Sequence, residues 1–221
     1  MKLFLDTANL KEIEKFLKLG IISGITTNPT IIAKEPKTDY LTHVNKIVNL
    51  CQKHKQEVPL SIEVFQTDPK KMITQAKEFV SKLNYSNLNI KIPIGWEELG
   101  VIKELRKNKI KVNCTCGMKE SQAILAASVG AEYFSLFCGR IRDVGVDPFP
   151  VIKNTRQLLE GTNTKLIIGS IRQEKDVADS FLAGADIVTV PPAFFEKMAT
   201  HPRTTETVNQ FINDFRKWIG K

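Results

Sequence analysis

Lys91 sits in Asn89-Ile90-Lys91-Ile92-Pro93, a short apolar run closed by proline that reads as the end of a buried parallel strand. Strand alternation puts Ile90 and Ile92 on one face and Asn89 with Lys91 on the other, so the lysine points inward. Burial disfavours an ammonium, and a partly neutral amine is what imine formation with a carbonyl requires. From these five residues alone, an edge-strand lysine in water is the simpler reading. Its companions change that. Imine formation expels water, and a later carbon–carbon cleavage must deprotonate a hydroxyl, so an acid/base group is needed within hydrogen-bond reach. Glu63, one strand earlier and in phase with Ser61 and Phe65, is the best placed candidate, with a plain ion pair to the lysine as the competing reading. Asp6 supplies a second carboxylate to hold a substrate hydroxyl or carry its proton, although Asp6-Thr7-Ala8-Asn9 also looks like a helix start. Thr26-Thr27-Asn28, Asn113 and Thr115 add amide and hydroxyl groups. Arg140, Ser170 and Arg172 offer two guanidinium forks and a hydroxyl suited to phosphate oxygens, against a reading of each arginine as an ordinary surface salt bridge.

Bringing these residues together requires a particular scaffold. Short apolar runs are expected as strands at Lys2 to Asp6, Gly24 to Asn28, Leu60 to Phe65, Leu88 to Ile92, Ile110 to Thr115, Tyr133 to Phe137, Lys165 to Gly169 and Asp186 to Val190. Helical patterns alternate with them at Leu10 to Leu19, Tyr40 to Lys55, Pro69 to Leu83, Trp96 to Lys107, Glu120 to Val129, Pro150 to Leu159, Lys175 to Ala183 and Ala193 to Met198. Gly130, Gly161 and Gly184 follow helical patterns where a left-handed cap is wanted, and Asp68-Pro69 reads as a cap and first turn. Eight strand–helix units predict a single-domain (β/α)8 TIM barrel over residues 1–221, with an open doubly wound sheet as the alternative. In a barrel the candidate residues all fall at the C-terminal strand ends, and the late strands that carry the arginines are where such barrels often hold phosphate. An extra helix at about 204–219 has Val208, Phe211, Ile212, Phe215, Trp218 and Ile219 on one face, to cover the barrel or pack on another subunit.

Composition narrows the partners. The net charge of +8 is compatible with anionic partners, but the lysines are scattered without a basic block or interleaved aromatics. Phosphorylated small molecules are therefore expected and nucleic acid is not. GxxxxGK[ST] and GxGxxG are both absent, so no nucleotide cofactor is proposed. Cys114-Thr115-Cys116 lacks further ligands nearby, which leaves Cys51, Cys114, Cys116 and Cys138 as reduced, partly buried thiols and no metal expected. No apolar run is long enough for a membrane span, and the start MKLFLDTANL lacks a leader pattern, so a cytoplasmic protein is expected.

Taken together, Leu5-Asp6-Thr7-Ala8-Asn9, Gly24-Ile25-Thr26-Thr27-Asn28-Pro29-Thr30, Ile90-Lys91-Ile92-Pro93, Gly139-Arg140-Ile141 and Ser170-Ile171-Arg172 resemble the transaldolase family, especially its small bacterial-type subfamily. The similarity continues through Ala183-Gly184-Ala185-Asp186 and His201-Pro202. It implies a (β/α)8 barrel and a metal-free class I mechanism without a cofactor. Lys91 matches the Schiff-base lysine, Asp6 the acid/base aspartate, and Glu63 with Thr115 the pair that holds a catalytic water. Asn28, next to Thr26, matches a residue binding substrate hydroxyls, and Arg140, Ser170 and Arg172 match the phosphate site. The resemblance further implies sugar phosphate substrates and a homo-oligomer, commonly a pentamer or decamer, with the C-terminal helix exchanged or docked between subunits.

Fructose-6-phosphate aldolase, a close relative, is the main competitor. It carries glutamine where this chain has Glu63, tyrosine where it has Phe137, and typically lysine where it has Arg172. A tyrosine hydroxyl would alter the hydrogen bonding of the catalytic water and favour release of the three-carbon unit, which phenylalanine cannot do. These positions favour transfer of a dihydroxyacetone unit from fructose 6-phosphate or sedoheptulose 7-phosphate to an aldose phosphate. A phosphosugar-binding protein without catalysis ranks lower, since amine, acid and base are all present. Three departures from the family pattern stand out: Cys116-Gly117-Met118 replaces an apolar, aromatic-containing run, Arg142 stands where an acidic or apolar residue is expected, and Leu136 replaces a common proline. Arg142 is expected to add positive charge near the phosphate end.

Overall fold

Each of the eight apolar runs forms a strand in the computed structural model, which describes residues 1–220. The strands are β1 (Lys2–Asp6), β2 (Ile25–Thr26), β3 (Leu60–Glu63), β4 (Leu88–Pro93), β5 (Lys111–Gly117), β6 (Tyr133–Phe137), β7 (Lys165–Gly169) and β8 (Ile187–Val190). All pair in parallel in chain order, and β1 pairs with β8, so the sheet closes and the open-sheet alternative is excluded. The helices are α1 (Leu10–Leu19), α2 (Pro29–Ile32), α3 (Tyr40–Lys53), α4 (Pro69–Leu83), α5 (Glu98–Lys107), α6 (Glu120–Ser128), α7 (Cys138–Asp143), α8 (Pro148–Leu158), α9 (Lys175–Leu182), α10 (Pro192–Ala199) and α11 (Pro202–Trp218).

Alternation along each strand divides the interior in two. Outward-facing residues such as Leu5, Leu60, Ile62, Ile90, Ile92, Leu136 and Val188 join the buried faces of the helices in one large apolar core. Burying an aliphatic side chain of this size contributes about 1.5–3 kcal/mol, and this layer therefore supplies most of the apolar stabilisation. The lumen is different. At its lower end Phe4, Ile167 and Ile187 pack with Tyr133 in a small separate cluster. Above them the lining turns polar: buried Ser135 donates to Asn113 Oδ1 at 2.7 Å, and Asn113 Nδ2 donates to Ser61 Oγ at 3.3 Å.

The departures from expectation lie at the strand ends. β2 stops at Thr26 because Pro29 starts α2, with the Asn28 side chain accepting from Ile31 N as its cap. β5 runs past Thr115, but its register to β6 shifts between Cys114 and Gly117, and Cys116 takes a left-handed φ of 63°. The short α7, which the apolar pattern did not signal, begins directly at the end of β6. The C-terminal helix starts at Pro202, slightly before the expected 204, and none of its residues is buried. It therefore does not cover the barrel, and Phe211, Phe215 and Trp218 are exposed on it.

Candidate active site

Lys91 does point inward. It is 4% exposed, and its Nζ lies 2.8 Å from Glu63 Oε2 and donates to the Thr27 carbonyl at 2.8 Å. The ladder enforces this contact, since Glu63 and Lys91 are register partners on β3 and β4. The ion-pair reading of Glu63 is therefore correct as geometry, and it does not compete with proton transfer, because the carboxylate is the adjacent acceptor for a lysine proton. An amine so placed can lose that proton and attack a carbonyl.

Asp6, at the end of β1, faces the same space. Its Oδ1 accepts from Thr26 Oγ1 at 2.7 Å, and Thr26 Oγ1 lies 2.5 Å from Thr189 Oγ1 on β8. When Asp6 is ionised it can only accept, so the Thr26 proton goes to it and Thr189 must donate to Thr26. Burial raises the Asp6 carboxyl above its ordinary 3.8, and the Thr26 hydrogen bond and the Lys91 charge only partly offset that rise. The helix-cap alternative for Asp6 falls to Asn9 instead, whose side chain accepts from Lys11 N and Glu12 N.

These groups line a cavity of about 730 Å³ at the C-terminal end of the barrel, together with Asn28, Thr115, Cys116, Phe137, Arg140 and Ser170. Thr115 Oγ1 is buried and has no hydrogen-bond partner among the described residues, a group that wants a ligand. Asn28 uses its Oδ1 on the α2 cap, which leaves the amide nitrogen as its donor to the cavity. Phe137 stands opposite Gly169 on the neighbouring strand, where a Cβ would come within 3.6 Å of the ring. The β5 bulge brings Cys116 to the wall. Burial, reinforced by the Glu63 charge, pushes its thiol above the ordinary range, so it stays protonated beside the lysine.

The arginines divide. Arg140, on α7, lines the cavity, and so does Ser170, which follows β7 in a left-handed conformation with φ 59°. Gly139 N–H donates to the Ser170 carbonyl, and a Cβ on Gly139 would fall 2.4 Å from that oxygen, so only glycine permits this approach. Arg172 does not line the cavity: its fork grips both oxygens of Asp143, each at 2.5 Å. Arg142, expected to add charge near this end, is instead paired with the buried Asp176 at 2.8 Å, so the added charge is neutralised.

The sequence reading missed Thr189 as well as Asp143 and Asp176. Thr189 was within reach, because alternation along Val188-Thr189-Val190 turns the threonine inward between two outward valines. The two aspartates carry no such signal, since their roles depend on the unexpected α7.

Comparison with known proteins agrees with the geometry. The family described as Transaldolase/Fructose-6-phosphate aldolase matches residues 3–219. A "Probable transaldolase" of Carboxydothermus hydrogenoformans is 41% identical over 218 residues, covering 98% of each chain. Another, from Lactiplantibacillus plantarum, is 38% identical over 218 residues, covering 98% of this chain and 97% of the relative. Among solved structures, a thiamine phosphate pyrophosphorylase from Pyrococcus furiosus superposes with a TM-score of 0.61 at 12% identity, covering 86% of this chain and 85% of that one, a likeness of fold alone.

Proposed function

The chain belongs to the transaldolase/fructose-6-phosphate aldolase family, and from that premise we propose that it is a transaldolase working through a Schiff base on Lys91. The observation that carries the reading is the buried Lys91 amine 2.8 Å from Glu63, with Asp6 facing the same cavity. Lys91 gives up a proton to Glu63 and attacks the ketone carbon of fructose 6-phosphate or sedoheptulose 7-phosphate. The carbinolamine then loses water to form the imine, with Glu63 and Thr115 moving protons through a bound water. The unpartnered Thr115 hydroxyl supports that assignment. Asp6 takes the proton of the hydroxyl on the carbon beyond the scissile bond. That bond breaks, its electron pair passes into the imine to give an enamine, and an aldose phosphate leaves. The enamine carbon attacks the aldehyde of an acceptor such as erythrose 4-phosphate or glyceraldehyde 3-phosphate, Asp6 returns the proton, and water hydrolyses the imine. Arg140 and Ser170 receive the phosphate, joined by Arg172 once its fork leaves Asp143, and Asn28 and Thr26 face the sugar hydroxyls.

Phe137 favours transfer over release, since a phenyl ring offers no hydroxyl to the water beside the lysine. Borohydride reduction with fructose 6-phosphate is expected to leave a covalent adduct on Lys91. Folded protein without that adduct overturns the mechanism and returns the chain to a binding role. Product formation that requires erythrose 4-phosphate supports transfer, whereas glyceraldehyde 3-phosphate appearing without an acceptor makes the enzyme an aldolase. The proposal extends to a homo-oligomer, because the apolar face of α11, with Phe211, Phe215 and Trp218, has no cover among the described residues. Light scattering on the full chain tests it, and a monodisperse monomer rules it out.

A further inference from the structure

We infer that Asp176, gripped by Arg142, is the positioning residue that sets the anion-binding loop after β7, an inference resting on the reading of the cavity as a sugar phosphate site. Asp176 is 0% exposed, yet its carboxylate is saturated with donors. Oδ1 accepts from Arg142 Nη2 at 2.8 Å and Gln173 Nε2 at 3.0 Å, while Oδ2 accepts from Arg142 Nη1 at 3.2 Å and from the backbone N–H groups of Arg172 at 3.1 Å and Gln173 at 3.3 Å. Burial alone would raise this carboxyl, but the hydrogen bonds led by Arg142 hold it below its ordinary 3.8, so it stays charged.

The two backbone donors belong to the residues just past Ser170, whose left-handed conformation is unfavourable for a serine. Asp176 therefore holds the chain on the far side of that turn. Arg142 comes from α7, the helix that also carries Arg140, so the Arg142–Asp176 pair ties the two halves of the anion site to each other. Gly139 N–H on the Ser170 carbonyl is a second tie between the same elements. The contact of the Arg172 side chain with Asp143 is of another kind. Both groups are partly exposed, with side-chain exposures of 47% and 38%, and a solvated pair of this sort exchanges readily for another anion. Asp176 fixes the backbone, and the Arg172 fork is left free to turn from Asp143 to a phosphate.

The test uses the full chain carrying Arg142→Met, Arg142→Lys or Asp176→Asn, with thermal unfolding to verify folding. Arg142→Met still leaves Asp176 three N–H donors from residues 172 and 173, so this variant keeps the question open to measurement if Asp176→Asn fails to fold. Three readouts are compared: kcat and KM with fructose 6-phosphate, binding of inorganic phosphate by calorimetry, and borohydride trapping of dihydroxyacetone, which has no phosphate. Arg142→Met is expected to weaken phosphate and raise KM by about tenfold together, with kcat within about threefold and dihydroxyacetone trapping unchanged. Arg142→Lys should recover part of the loss, because it keeps the charge without the fork. Folded variants with wild-type KM and phosphate binding overturn the inference, as does equal loss with dihydroxyacetone and fructose 6-phosphate, which would mean general loosening. A wild-type chain that traps no substrate defeats the functional reading alone, because phosphate binding still decides this one; a wild-type chain that binds no phosphate defeats the positioning role.

Discussion

Lys91, Glu63 and Asp6 stand on strands of the barrel, whereas Arg140, Ser170 and Arg172 stand on a short helix and a loop above it, and the two sets are fixed by different forces. In the lumen, position follows from the ladder: Glu63 faces Lys91 because Leu60 faces Leu88 three residues earlier, and the whole register rests on the apolar layer outside. At the rim no ladder operates. The backbone turns at Ser170, and ion pairs and one glycine contact hold it there. A barrel can therefore keep its chemical centre rigid while its recognition end is set by a few side chains. Damage to the lumen should appear in kcat and damage to the rim in KM.

The sharpest break is in the lumen. Lys91→Met keeps the volume and removes the proposed nucleophile, so turnover should fall by about 10⁴-fold or more with no change in phosphate binding. Steady-state kinetics and phosphate calorimetry on one preparation check both halves. Asp6→Asn should lower kcat by roughly 10²–10⁴-fold, the range for a lost acid/base group. The same substitution should stabilise the fold. Asp6 has its carboxyl raised above 3.8 in the folded chain, so the folded state binds the proton more readily than the unfolded one. The stability it contributes is complete below 3.8 and is lost as pH rises through the folded-state value. At neutral pH, Asn in its place should be the more stable, and the gain should shrink toward acid. Denaturant unfolding across that pH range reads the trend, and a gain that grows toward acid contradicts the burial argument.

At the rim, Arg140→Ala should raise KM for a phosphorylated donor by about 10- to 100-fold, the worth of one charge-assisted hydrogen bond, while kcat changes little. A kcat loss as large as that of Asp6→Asn would erase the distinction between the two regions. The distinction also explains what the sequence made legible. Alternation and helix caps located eight strands, closed by the β1–β8 pairing, and alternation turned Lys91 and Glu63 inward, while Asp6 and Thr115 were legible only as polar residues at strand ends. The rim was less accessible. α7 has six residues and no apolar period, so nothing in the pattern announced that Arg142 would turn away from the cavity to Asp176 or that Asp143 would take the Arg172 fork. The β5 bulge was hidden for a related reason. It depends on Gly117 lying against Phe134, a contact between strands that no local pattern encodes.

The smallest effect tests whether ladder geometry alone governs the lumen. Thr26 is the hydrogen-bond partner of Asp6, but Thr26 is itself held by Thr189 across the β1–β8 closure of the barrel. If the Thr189 proton fixes the Thr26 hydroxyl, it stabilises the ionised form of Asp6, the form that takes the substrate proton in the proposed reaction. Thr189→Val keeps the shape and removes that donor. Thr26 still donates to the Asp6 carboxylate, but without a donor of its own its hydroxyl is less polarised and that hydrogen bond weaker, so the acid limb of the kcat profile should move to higher pH, with kcat at neutral pH down about three- to tenfold. Thr189→Ser restores the hydroxyl and should return both toward wild type. If valine leaves the pH profile untouched, the strand register is sufficient to aim Asp6. The hydroxyl chain would then be a packing feature of the closure, and the lumen would need no side-chain support of the kind the rim depends on.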